Sequence, residues 1–281
     1  MRYILLLLAL LIVCFVIGWL GTRLIKAKLW RNLSKSGRIL LNSGISLVVF
    51  IVLAFVYLSD AHNAEEEALK MALSNPAVDV KEIDGGYFFD GPGESTALVF
   101  YQGAKVEALA YAPLMTKIAE RGVDCFAADM PFNIATFDTN RADRFINNYQ
   151  YDEWLAMGHS MGGLEIANYA AEHSDRFSKI FLLASYPSKP IDEDILFYSI
   201  YGSNDECLDR DNYEKCKINW PSNAKEIVIK GGNHSQFGNY GGQSMDGVAE
   251  ISADEQQSVT VECVIGKAQP YYYAKTADAY L

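Results

Sequence analysis

Not one Asp or Glu occurs in the first 59 residues of this 281-residue chain, although 35 follow. Seven of the 24 Lys and Arg lie in that opening stretch, so it is basic and apolar, while beyond it acidic residues outnumber basic ones 35 to 17. Cysteine is scarce. Five are too few for a disulfide scaffold, and no CxxC or Cys/His spacing suggests a zinc site. Neither a metal nor an organic cofactor is expected. Eight Pro and 21 Gly exclude collagen-like and Pro-rich linker chains. A net charge of −11 argues against a general nucleic-acid binder, which needs a basic footprint. Half the residues are hydrophobic and 21% are charged, which excludes intrinsic disorder. No internal repeat or low-complexity tract is present.

What the opening stretch does contain is two uncharged apolar runs, residues 3–20 and 39–59. Their lengths, 18 and 21 residues, fall within the range of about 17–25 that crosses a hydrocarbon core. The segment between them, 21–38, holds six of the seven basic residues. A cleaved signal peptide is the alternative for the first run. That run is long for the apolar part of a signal, and no small-x-small cleavage site follows it. Cys14 lacks the preceding small residue of a lipoprotein site and reads as an ordinary membrane-facing residue. Two transmembrane helices joined by a basic loop are therefore expected over 1–59. Short basic loops stay cytoplasmic, which places everything after Asp60 on the extracytoplasmic side of the cell membrane. A disulfide is permitted there. Cys207 and Cys216, nine apart in a loop-like stretch, form the best-placed pair, with two unpaired thiols as the alternative.

Residues 60–77 read as a polar, helix-prone connector, and 78–281 as one domain. A hairpin is expected over 78–90, around Gly85-Gly86. Thereafter strands (97–101, 123–130, 154–157, 179–184, 195–201, 226–229) alternate with helices (114–121, 141–149, 162–173, 253–269). That alternation predicts an α/β fold with a mostly parallel sheet and helices on both faces.

The chemistry is carried by Gly158-His159-Ser160-Met161-Gly162-Gly163. The segment is G-x-S-x-G, a strand precedes it, a helix follows it, and small residues flank the serine. This is the context of a nucleophile elbow, a sharp turn that presents a serine hydroxyl at the carboxyl edge of a sheet. A serine needs a base. Of the four histidines, His62 lies in the connector, His159 inside the elbow and pointing away from the serine's exposed edge, and His173 at the far end of the elbow helix. Only His234 follows a late strand in a loop. The base needs an acid to hold its tautomer. Asp205 ends an apolar strand and lies between nucleophile and base; Asp129 also ends a strand and is the alternative. Two backbone donors should hold an oxyanion, the N–H of Met161 after the nucleophile and that of Ala104 in the loop after strand 97–101.

Ser160, Asp205 and His234 stand in α/β-hydrolase order, and the chain from about Ala97 onward resembles the compact, lidless serine α/β hydrolases. The family's common His-Gly at the oxyanion loop is Gln102-Gly103 here, which leaves the backbone donor but not a histidine side chain. Relatives that resemble dienelactone hydrolases use a Cys nucleophile, so their chemistry does not carry over. The resemblance implies a membrane-anchored hydrolase that cleaves an ester or related acyl bond in a small-molecule or lipid-like substrate, without a cofactor. An acyltransferase or a peptidase on the same three residues, or a non-catalytic binding protein on the same fold, are the alternatives. The lack of a lid leaves little surface for a long acyl tail, which favours short acyl groups.

Overall fold

The computed structural model describes residues 13–14, 16–21 and 33–267. The chain divides into two units, Met1–Asp60 and Ala61–Leu281, each described by itself. In the first, Ser34 accepts from the amide of Gly37 and so caps a 25-residue helix, α1 (Lys35–Ser59). Among the described residues this is the one helix long and apolar enough to cross a membrane, over Lys35–Leu58. At 1.5 Å per residue it reaches roughly 36 Å, enough for a hydrocarbon core of about 30 Å. Of the other expected span, residues 3–12 and 15 lie outside the described residues, while 13–14 and 16–21 are helical. One such helix, not two, is therefore described. Gly18 of that piece has no room for a side chain, because a Cβ there would sit 2.2 Å from Ser46 Oγ. Small residues at such contacts let helix backbones approach closely.

The second unit opens with α2 (Glu66–Leu73) and continues β1 (Asp79–Ile83), β2 (Gly86–Asp90), β3 (Thr96–Tyr101), α3 (Ala112–Ala119), β4 (Asp124–Ala128), α4 (Asp143–Ile146), β5 (Glu153–His159) and α5 (Met161–Glu172). It then runs through β6 (Lys179–Leu183), β7 (Leu196–Gly202), α6 (Arg210–Cys216), β8 (Lys225–Ile229) and α7 (Ala253–Val264). The eight strands form one sheet in the order β1-β2-β4-β3-β5-β6-β7-β8. The expected hairpin pairs β1 with β2, and β2 pairs antiparallel with β4; every other pair is parallel. Strand β3 is wholly apolar because both its faces are covered. Leu98 and Phe100 join one core with α3 and α7, while Ala97, Val99 and Tyr101 join the other with α4 and α5. The register aligns Tyr101 with Gly158, His159 with Leu183 and Gly202 with Ile229. The loops leaving β3, β5, β7 and β8 therefore start at one edge.

Several expected elements are shorter than the pattern implied. The helix expected over 141–149 is a single turn, Asp143–Ile146, and the Asn148 side chain turns back onto the Arg144 carbonyl. Asn competes with the helix backbone in this way. The final helix ends at Val264, not 269. Gly266 adopts φ 72 and the Lys267 amide reaches the Glu262 carbonyl, a left-handed C-terminal stop. The polar stretch 210–216 is helical, capped by Asp209 and anchored by buried Tyr213. It carries no apolar stripe that would announce a helix. Cys207 and Cys216 are free thiols, so the bridge considered for them is not formed.

The core over the β2–β4 pair, beneath α4, is aromatic. Phe126 lies 4.6 Å from Phe88 and 5.3 Å from Phe145, ring centroid to centroid, and is fully buried. Phe126→Ala should lower the unfolding free energy by about 3–5 kcal/mol, read from the denaturant midpoint of the full chain. A change below about 1 kcal/mol would mean that the ring cluster can collapse onto the cavity.

Candidate active site

Strand β5 ends at His159 and α5 begins at Met161, which leaves Ser160 alone to make the turn. It does so at φ 53, ψ −122. A positive φ on a residue with a Cβ is costly, of order 1–3 kcal/mol, and persists only where the surroundings impose it. They do so here. The Ser160 amide donates to the Leu183 carbonyl (2.9 Å), and its carbonyl accepts from Ser185 Oγ (2.7 Å) and from the Leu164 amide (3.2 Å). The flanking glycines make the turn possible. A Cβ on Gly162 would lie 2.2 Å from the Gln102 carbonyl oxygen, and one on Gly158 would lie 2.6 Å from that of Gly162. Ser160 itself is half-buried.

His234 follows β8. Its Nδ1 lies 3.1 and 3.0 Å from the two carboxylate oxygens of Asp205, and the residues are only 3% and 6% exposed. A carboxylate accepts, so Nδ1 carries the proton and Nε2 is left as the basic nitrogen. Asp205 is itself fixed, because Oδ1 also accepts the amides of Cys207 and Leu208, both at 2.9 Å. The structure thus joins Asp205 and His234. It forms no hydrogen bond between Ser160 and His234, a leg that is often long before substrate binds. Asp129 is not bonded to His234. Its amide donates to Gly85 at the β1–β2 turn, and burial raises its carboxyl above the usual range.

The two expected oxyanion donors are placed as follows. Met161 opens α5, where the first amides of a helix lack partners within it. In the loop after β3, the Gly103 amide donates to the Tyr111 hydroxyl (3.1 Å) and the Lys105 amide to the Asn133 carbonyl (2.7 Å). The Ala104 amide between them has no acceptor among the described residues. Nearby, Phe132, Phe137 and Met161 are exposed apolar side chains, the two rings 6.1 Å apart. Cys207 borders Asp205, and burial with the neighbouring carboxylates pushes its thiol up to about 11. Among the described residues no group of three potential metal ligands occurs.

Four features were not visible in the sequence. Asp246 accepts the amides of His234 (3.1 Å) and Ser235 (2.8 Å) and the Ser235 hydroxyl (2.7 Å), so one carboxylate clamps the backbone at His234. It sits in a Gly- and Ser-rich loop that offers no periodic signal. Gln256, fully buried on α7, exchanges two hydrogen bonds with the backbone of Asn233. Its only sequence trace is a polar residue on the buried side of a helix. The stretch read as a mere connector also braces the site. His62 donates to the Lys105 carbonyl (2.7 Å), and Glu65 bonds Asn239 and Gly241 beyond the base. Finally, His159 does not stand apart from the base, because its fully buried ring lies 4.6 Å from that of His234. Burial first, then His234, hold its pKa well below the ordinary 6.5.

Residues 97–258 match the family described as the alpha/beta hydrolase family. Two solved structures are similar. One is a predicted CIB-like hydrolase from Thermoplasma acidophilum, at 16% identity and TM-score 0.48, covering 67% of this chain and 97% of that one. The other is Est1E from Butyrivibrio proteoclasticus, at 14% identity and TM-score 0.46, covering 68% and 98%. Among curated proteins no match is found.

The depressed pKa of His159 has a sign. Above pH 6.5 the ring is neutral both folded and unfolded, and its contribution is fully present. Below that, the unfolded chain binds a proton that the native one refuses, so stability falls as pH drops towards the folded value. Unfolding free energy should fall by up to about 1.4 kcal/mol per pH unit from this group, and His159→Asn should remove that component. Equal pH slopes for the two proteins would contradict a neutral, buried His159.

Proposed function

The chain belongs to the alpha/beta hydrolase family, and from that we propose that it is a membrane-anchored serine hydrolase acting on an ester or related acyl bond. The observation that carries the reading is the Asp205 carboxylate bridging both its oxygens to His234 Nδ1, beside a serine held at positive φ on a strand–helix turn. In this reading Ser160 Oγ attacks the acyl carbonyl and His234 Nε2 takes its proton. Asp205 stays ionised and steadies the imidazolium. The Met161 and Ala104 amides hold the oxyanion. Collapse expels the alcohol, which receives the proton from His234, and leaves an acyl-Ser160. Water then attacks, gives one proton to His234, and the carboxylic acid departs as that proton passes to Ser160; the acid then loses its own proton to solvent. The exposed Phe132, Phe137 and Met161 offer an open apolar rim, which suits short acyl groups.

Anchoring is supported by α1, whose apolar side chains are largely exposed, and by the close approach at Gly18 and Ser46. With the run at 3–20 as a second span, the basic 21–38 loop would be cytoplasmic and the hydrolase domain extracytoplasmic.

Ser160→Ala should lower kcat on a short acyl ester by roughly 10⁶-fold. Asp205→Asn should lower it by roughly 10³- to 10⁴-fold, while Asp129→Asn stays within about tenfold. Substantial turnover by Ser160→Ala would place the nucleophile elsewhere, and the reverse ranking of the two Asp variants would reassign the acid.

A reporter active only outside the cytoplasm should be active when fused after Leu281. Reversing the charges of Arg23, Lys26, Lys28, Arg31, Lys35 and Arg38 should silence it. A fusion active only in the cytoplasm would overturn the orientation.

A further inference from the structure

Behind the site lies a buried polar pair that the mechanism above leaves unused. Tyr111 and His159 are fully buried, and the Tyr111 hydroxyl lies 2.7 Å from His159 Nδ1. The same hydroxyl accepts the Gly103 amide at 3.1 Å. The buried hydroxyl proton has Nδ1 as its one acceptor among the described residues, so Nδ1 accepts and the His159 proton sits on Nε2. Among the described residues no partner reaches Nε2 within hydrogen-bonding geometry. The ring itself lies 4.6 Å from His234, centroid to centroid, tilted by 51°. Three groups therefore connect in series: the Gly103 amide, the Tyr111 hydroxyl, and an imidazole lying against the base. Gly103 is small for the same reason, since a Cβ there would come 2.8 Å from His159 Nδ1 and 2.9 Å from the Tyr111 oxygen. The column continues outward, with Tyr240 placed 6.2 Å from Tyr111 and 5.7 Å from His62.

We propose that Tyr111 and His159 are positioning residues for the hydrolytic reaction, a buried relay that fixes the loop carrying Ala104 relative to the ring of His234. This rests on the serine-hydrolase reading. The two halves of that chemistry sit on different loops, the oxyanion donor after β3 and the base after β8. Those loops are not adjacent in the sheet, so nothing in the strand register alone sets their separation. Tyr111 grips the first through a backbone amide, and His159, rooted in the elbow, packs against the second. A hydrogen bond sequestered from water at this spot holds direction as well as distance, which apolar packing does not. The relay touches no substrate and transfers no proton. Its effect is expressed in how well Ala104 and His234 meet the transition state, hence in kcat rather than in KM.

The test uses the full chain in detergent micelles, with sites titrated by a fluorophosphonate and turnover measured on a soluble acetyl ester. Tyr111→Phe keeps the ring and removes the hydroxyl. It should lower kcat per titrated site by about 10- to 100-fold with KM changed less than about twofold. His159→Leu should do the same, and the double variant should be no more than about twofold worse than either, because the two act as one unit. His159→Asn, whose Oδ1 can take the place of Nδ1 as acceptor, should recover most of the loss. A role in packing alone would lower stability, leave kcat per titrated site unchanged and show no rescue by Asn; that result overturns the proposal. So would losses that multiply in the double variant. Retained turnover in Ser160→Ala would instead defeat the serine-hydrolase reading. Hydrogen exchange at the Gly103 amide then judges the relay by itself: about tenfold faster exchange in Tyr111→Phe upholds it, and an unchanged rate overturns it.

Discussion

The site depends on one backbone constraint, the turn at Ser160. A residue with a side chain is held at φ 53 between a strand and a helix, at a cost of order 1–3 kcal/mol that local sequence cannot offset. What holds it is the packing of β5 against its two neighbours. Strand β6 supplies the Leu183 carbonyl for the Ser160 amide, and Ser185 beyond it bonds the Ser160 carbonyl. Strand β3 presses its last carbonyls against Gly162 so closely that any Cβ would collide. The serine is displayed because the sheet is tightly packed on both sides, and a looser sheet would let the turn relax into an ordinary helix start.

From that point the polar groups are distributed with little redundancy. Asp205 takes two backbone amides and both its contacts to His234, so its carboxylate cannot rotate away. Asp246 and Gln256 then hold the backbone from Asn233 to Ser235, around His234. Each of these side chains fixes one loop. The connection between loops runs through rings and the 61–65 segment, whose backbone bonds Lys105 and Asn239 and whose Glu65 carboxylate accepts the Gly241 amide. A segment that composition marks as a polar spacer is therefore structurally part of the hydrolase unit.

The legible parts of the fold are those dictated by local rules. Strand β3 is apolar at consecutive positions, and only a strand covered on both faces wants that pattern. The strand–turn–helix around Ser160 is legible because its glycines are demanded by the turn, and the meeting of Asp205 with His234 because each follows a strand that ends at the same edge. Features set by distant contacts were not. Nothing near Asp246 in sequence says that its carboxylate will reach two amides eleven and twelve residues back. His159 reads as a neighbour of the serine, but strand alternation sends its ring to the opposite side, where tertiary packing alone brings His234 beside it. Helix α6 lacks an apolar stripe. It is fixed instead by Tyr213, which bonds Ser199 and Glu226 below it.

In the proposed function one serine, activated by one Asp–His pair, performs the chemistry. The most direct measurement is peptide mass spectrometry of the full chain after exposure to a fluorophosphonate. A single adduct on Ser160 is expected, formed rapidly in the native protein and lost in His234→Ala. An adduct on another residue, or labelling of Ser160 at an undiminished rate without His234, would contradict it.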